Sequence, residues 1–259
     1  MAAPFFSTPF QPYVYQSSQA AVTAFQILGG ESQIVQIMLK AQEKLIAKPG
    51  FLQWIFGKRV TSVVISNSGS EDGFVGIAAP SPARILPIDL ANFGGEILCQ
   101  PDAFLCSVDD VRVSSRVDQR PRNLEVGAEL MLKQKLEGQG LAFLLGCGSV
   151  VQKILAPGEV FIVDAACVIA MTSSINFQLK YSNPTRRVVF GGDNQLMATL
   201  SGPGVVFIQS LPFRRLSQRI ARAAAAPSLR DNPKFFMQIA LLFFLAYVMI
   251  VSSLILTDA

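Results

Sequence analysis

One motif recurs along the first two-thirds of the chain and constrains its fold more than any other feature. It is a leucine, a turn, a glutamate and then a short apolar run. The clearest copy is Ile154 to Met171, ILAPGEVFIVDAACVIAM. Pro157-Gly158 is a turn dipeptide. Val160-Phe161-Ile162-Val163 is a brief run of strand formers, Asp164-Ala165-Ala166 breaks it, and Cys167-Val168-Ile169-Ala170 is a second run. Runs this short between turn signals suit strands buried on both faces. A buried helix fits the periodicity nearly as well, but the β-branched content and the Gly and Pro punctuation favour strands.

Leu39 to Gly50 (LKAQEKLIAKPG) and Leu90 to Leu105 (LANFGGEILCQPDAFL) share the pattern. The glutamates are Glu43, Glu96 and Glu159, at intervals of 53 and 63 positions. Such a period predicts one β unit used about three times. The unequal intervals leave chance recurrence of strand-and-turn vocabulary as the alternative. Between residues 25 and 210 the same vocabulary continues. Strand candidates lie at Ser62–Ser66, Phe74–Ala79, Arg84–Leu90, Val111–Val117, Leu141–Leu145, Ile175–Tyr181, Leu196–Leu200 and Val205–Ile208. Many short strands separated by Gly and Pro indicate a sandwich or barrel. The pairs Gly29-Gly30, Gly94-Gly95 and Gly191-Gly192 open no phosphate-binding pattern, so they read as tight turns and bulges.

The chain contains no histidine. Ser-His-Asp and Cys-His catalysis and His-ligated zinc or iron are thereby excluded. Cys99, Cys106, Cys147 and Cys167 form no C-x-x-C pair, and each lies in an apolar stretch. They read as small buried hydrophobes in a reducing compartment. No acid–base pair can be nominated, so no enzyme is expected, and neither cofactor nor metal is assigned.

Both ends differ from the middle. Residues 1–24 carry no charged side chain and are rich in Pro, Ser and Gln. They lack the features of a secretory or mitochondrial leader and read as a flexible N-terminal extension. Residues 213–234 hold Arg214, Arg215, Arg219, Arg222, Arg230 and Lys234 against a single Asp231. Phe213, Leu216 and Ile220 recur at helical spacing there, which predicts a short amphipathic helix ended by Pro227. Phe235 to Leu256 then gives 22 positions without a charge. At ~1.5 Å per residue they rise roughly 33 Å, which predicts a C-terminal transmembrane helix marked by Phe235, Leu242, Phe244, Leu245, Val248 and Leu256.

Several stretches resemble the altered-inheritance-of-mitochondria family, member twenty-four, whose domain is described as similar to the tryptophan RNA-binding attenuation protein (TRAP). They are GGESQIVQIMLKAQEKLIAKPG at Gly29–Gly50, ILPIDL at Ile85–Leu90, ILAPGEVFIVDAACVIAM at Ile154–Met171 and VVFGGDNQLMATLSGPGVVFIQSLP at Val188–Pro212. The family's Gly-Gly-Glu appears here as Gly191-Gly192-Asp193, and its Gly-Glu is missing near Arg59-Val60-Thr61. The resemblance implies a jelly-roll-like β-sandwich with pseudo-threefold internal repeats over residues 25–212, and a mitochondrial role without an established reaction.

The expected function is a non-enzymatic, membrane-anchored scaffold or adaptor. Its β domain would hold an unidentified membrane-proximal protein, and a homo-oligomer is an open alternative. Arg214, Arg215, Arg219 and Arg222 of the basic juxtamembrane segment would contact anionic lipid. The runner-up is a membrane-tethered RNA-binding module using Arg112, Arg116, Arg120 and Arg122. It is disfavoured because Asp109, Asp110 and Asp118 balance that loop and no aromatic side chains interleave it. The location expected is a single-pass membrane protein with a C-terminal anchor, mitochondrial by resemblance.

Overall fold

The computed structural model describes residues 10–15, 24–48, 54–55, 58–59, 63–115, 132, 134–181, 196–225 and 233–257. The N-terminal stretch carries β1 (Gln11–Pro12). A first unit holds β2 (Phe25–Leu28), β3 (Ile34–Leu39), β4 (Lys44–Ala47), β5 (Trp54–Ile55), β6 (Lys58–Arg59), β7 (Val63–Ser66) and β8 (Gly73–Ala78). A second holds β9 (Arg84–Asp89), β10 (Glu96–Cys99), β11 (Phe104–Val108), β12 (Val111–Ser115), β13 (Gln134–Gly138) and β14 (Leu141–Gly146). A third repeats those six strands in order as β15 (Val150–Leu155), β16 (Val160–Asp164), β17 (Val168–Thr172), β18 (Asn176–Tyr181), β19 (Leu196–Ser201) and β20 (Gly204–Gln209). Two helices follow, α1 (Phe213–Ala225) and α2 (Pro233–Thr257). The chain divides into two compact units, Met1–Phe213 and Arg214–Ala259.

The recurring leucine-to-glutamate motif is a turn that carries the chain from one sheet to the next, joining β3 to β4, β9 to β10 and β15 to β16. In two copies the glutamate carboxylate accepts a backbone N–H three residues earlier, from Lys40 to Glu43 at 2.7 Å and from Ala156 to Glu159 at 2.9 Å. Each turn also needs one left-handed residue, Gln42 (φ 65°) in the first and Gly158 (φ 78°) in the third. Glycine adopts that conformation freely, whereas glutamine is strained by it. The middle copy differs. Leu90–Phe93 is a 3-10 turn capped by Asp89, Gly94 and Gly95 are left-handed, and Glu96 instead pairs with Lys135 at 2.9 Å.

The β domain is a series of sheets with a core between each pair. The first core lies between the β2–β3–β8 sheet and the β7–β4–β11–β14–β9 sheet, with Val35, Ile37, Leu45, Cys106 and Phe143 at its centre. The second packs the other face of that sheet, through Leu86, Ile88 and Leu144, against the seven-stranded sheet β1–β15–β20–β17–β10–β13–β12, through Ile97, Leu136 and Phe207. The third fills the space between that sheet and β16–β19–β18 with Leu155, Met171, Phe177, Leu200 and Val206. Two antiparallel seams fuse the units, β4 with β11 and β10 with β17. The same step at β16 calls for a strand of the first unit. β5 occupies that place in the sequence, and it pairs with β6 instead. Among the described residues the repetition therefore shows in strand order without closing into a continuous ring of sheets.

Phenylalanines lock each unit to the one before it. The motif leucines mark equivalent positions, because each lies opposite a glycine: Leu39 with Gly73, Leu155 with Gly204, and Leu90 donating to the Gly140 carbonyl at 3.1 Å. Three residues beyond those glycines stand Gly76, Phe207 and Phe143 respectively. Phe143 belongs to the second unit and is buried in the first core, and Phe207 belongs to the third and is buried in the second core. Residues 10–15 add a strap along the series. Phe10 meets Phe161 at 5.8 Å between ring centroids, Tyr13 meets Phe207 at 5.2 Å and Tyr15 meets Phe25 at 5.3 Å. These six residues thus reach all three cores, within the stretch expected to be a flexible extension. The rest of that stretch, 1–9 and 16–23, lies outside the described residues.

The mainly β expectation holds, and the transmembrane helix does not. Among the described residues no helix is long and apolar enough to cross a membrane. Leu242, Phe244, Leu245 and Val248 of the expected span are exposed on this helix, and the side chains of Phe235 and Leu256 lie outside the described residues. The tail-anchored, single-pass reading is withdrawn with it.

Because Phe207 is fully buried, Phe207→Ala should cost ~3–5 kcal/mol of unfolding free energy in urea titration. Ile162→Ala, at a side chain 60% exposed, should stay within ~0.5 kcal/mol.

Candidate lipid-contact site

The sequence FRRLSQRIARAAA forms α1 as thirteen helical residues. At 3.6 residues per turn, Phe213, Leu216, Ile220, Ala223 and Ala224 share one side, and Arg215, Arg219 and Arg222 fall on the other with Arg214 at its edge. The apolar side is open, with Phe213 47% and Ile220 60% exposed and Leu216 half-buried. Arg214 and Arg219 are exposed and Arg215 half-buried, while the side chain of Arg222 lies outside the described residues. The predicted amphipathic helix is therefore present, and it brings all four nominated arginines onto one element.

Its electrostatics run against simple helix stability. The positive end of a helix dipole favours acidic residues in the first turn, typically by 0.3–1 kcal/mol each. The first turn of α1 contains no acid, and Arg214 and Arg215 stand there instead. A cationic, apolar-edged helix placed at that cost matches the composition of helices that lie in a membrane interface.

The polar groups of the β domain are mostly engaged in holding the fold. Lys153 is buried and reaches Glu159 at 2.6 Å, with its ammonium 5.9 Å from the centroid of the Phe161 ring. The Lys153 hydrogen bond, helped by the Ala156 N–H, holds the Glu159 carboxyl below its ordinary range. Lys135 bridges Glu96 and Glu137, which raises its pKa. Lys48 pairs with Asp102 at 3.0 Å. Asp89 and Asp164 cap 3-10 turns through Ala91 and Ala166. The Tyr13 hydroxyl donates to the Pro87 carbonyl at 2.6 Å, and burial raises its pKa. Burial pushes the Cys99 and Cys106 thiols up to about 12 and raises Cys147 as well. No group of three or more His, Cys, Asp or Glu that could hold a metal occurs among the described residues. Of the arginines in the RNA reading, Arg112 is exposed on β12 opposite Glu137. Arg116, Arg120 and Arg122 lie outside the described residues.

A family model described as Mitochondrial biogenesis AIM24 matches residues 25–211. The chain belongs to this family. The match covers the three β units and stops short of α1, so the candidate lipid helix falls outside it. Among solved structures, protein SPYM3_0169 from Streptococcus pyogenes superposes with a TM-score of 0.61 at 17% identity, covering 78% of this chain and 100% of that one. At that identity the likeness concerns the fold alone. No curated protein matches the chain.

Burial of the thiols sets the sign of one pH dependence. A thiol whose pKa is raised from 9.0 to about 12 in the native state keeps its proton there and loses it on unfolding. Stability is therefore fully present below pH 9.0 and falls as pH rises toward about 12, by up to ~1.4 kcal/mol per pH unit for each thiol. Urea midpoints measured from pH 8 upward should show that decline. Cys99→Ala should lessen the slope. A thiol reagent at pH 8 should leave Cys99, Cys106 and Cys147 unlabelled until the chain unfolds.

Proposed function

We propose that this chain is a non-enzymatic scaffold or adaptor whose β domain carries a partner protein and whose α1 helix rests on an anionic lipid surface. The observation that carries the reading is α1 itself, with an open apolar side, an arginine side and no acid in its first turn. An interfacial helix binds by burying apolar side chains while its cations meet lipid phosphates. Each arginine near such a surface contributes up to ~1 kcal/mol, falling with salt. The β domain supports the scaffold part, because Lys135, Lys153, Asp89 and Asp164 serve strand pairs and turns, and Cys99 and Cys106 lie in the cores. The family's description speaks of mitochondrial biogenesis, and a mitochondrial surface rich in anionic lipid is the setting this reading favours.

Vesicle co-sedimentation of the full chain tests it. Vesicles with anionic lipid should bind more chain than neutral ones, and the excess should shrink between low and high salt. Replacing Arg214, Arg215, Arg219 and Arg222 with alanine should weaken binding to anionic vesicles at least ~10-fold without altering binding to neutral vesicles. Equal binding to both vesicle types by the unaltered chain would refute the lipid role.

A further inference from the structure

The unit series has a free end. In the second and third units, the face bearing Phe143 or Phe207 is covered by the preceding unit. Among the described residues no unit precedes the first, and Leu28, Ile34 and Phe74 on the outer face of its β2–β3–β8 sheet are exposed. The side chains of that face follow from register: Leu28, Ile34 and Ala78 in one row, Gln26, Gln36 and Gly76 in the next, then Met38 beside Phe74. Leu28 is 43%, Ile34 44% and Phe74 69% exposed. None of these eight residues carries a charge.

The relief of this face is as informative as its chemistry. Gly76 stands where the later units place their interlocking phenylalanine. A Cβ built there would meet only the Ile34 methyl, at 3.9 Å. The face is hollow at Gly76 and raised at Phe74, two residues away on the same side of the same strand. A knob beside a hole on one surface is self-complementary: a two-fold rotation can set each Phe74 over the other copy's Gly76. A surface of this kind in an isologous contact needs no second sequence to match it.

We propose that the outer face of the β2–β3–β8 sheet is a two-fold interface between two copies of this chain, with Phe74 of each seated in the hollow over Gly76 of the other. The occupant is a second copy because this fold covers the equivalent faces with another of its own sheets. The absence of charge also lets the face meet itself without burying like charges. This assembly is independent of the lipid contact at α1.

Analytical ultracentrifugation of the full chain in a density-matched mild detergent, which shields α2, reads the assembly directly. The unaltered chain should sediment as a dimer at micromolar concentration, and the dimer should survive high salt because no charges cross it. Phe74→Glu should raise the dimer dissociation constant at least ~10-fold, by placing a charge in a desolvated contact. Gly76→Phe fills the hollow from within and should have the same effect while the chain keeps its thermal unfolding midpoint. Ile162→Glu, on the exposed face of β16, should leave the dimer intact. A monomeric unaltered chain overturns the proposal, and so does a dimer indifferent to both Phe74→Glu and Gly76→Phe. Loss of the dimer in Ile162→Glu as well would also refute the assignment to this face.

Discussion

Phe143 and Phe207 are the contacts on which the β domain depends. Each is supplied by one unit and buried in the core of its predecessor, so neither of the first two units completes its core by itself. A buried phenylalanine contributes roughly 1.5–3 kcal/mol through the apolar area it removes from water. Here that contribution appears only when two units are joined. The β4–β11 and β10–β17 seams act in the same direction, since each fuses strands of neighbouring units into one sheet. The result is a fold repetitive in sequence and strand order, yet expected to unfold as one body.

Much of this was legible in the residues, and the parts that were not have physical reasons. The Leu-turn-Glu motif announced its sheet-to-sheet turns because a carboxylate accepting an N–H three residues back needs a fixed spacing. That spacing is kept at Glu43 and Glu159 and altered at Glu96, where two left-handed glycines make the turn instead. Phe143 and Phe207 were visible only as members of apolar runs. Their role depends on which face of a strand meets which neighbouring unit, and a strand buried on both faces has no polar alternation to reveal it. Residues 10–15 were harder still. Phe10, Tyr13 and Tyr15 stand among Pro and Gln with no charge or period, and only β15 and the aromatic pockets give them places. The uncharged run after Lys234 suggested a membrane span by length and composition, whereas among the described residues no helix is long and apolar enough to cross a membrane.

The β domain and α1 carry opposite surface properties. In the β domain, several charges are held in short local pairs such as Lys153–Glu159, and the outer face of the β2–β3–β8 sheet carries no charge. In α1, cations crowd a helix start where they are unfavourable, and an apolar side stays open. A chain that neutralises one surface and concentrates positive charge on another can meet a protein and a lipid layer without either contact competing for the same residues.

The strap of residues 10–15 has a consequence for synthesis. It leaves the ribosome before the three β units, yet Phe161 and Phe207, two of the rings it packs on, are made near the end of the β domain. Its burial can only follow completion of the third unit, which makes its contacts among the longest in sequence and the latest to form. Until then its aromatic side chains remain uncovered on the nascent chain. Docking of the strap is therefore the step that distinguishes a finished domain from a partly made one.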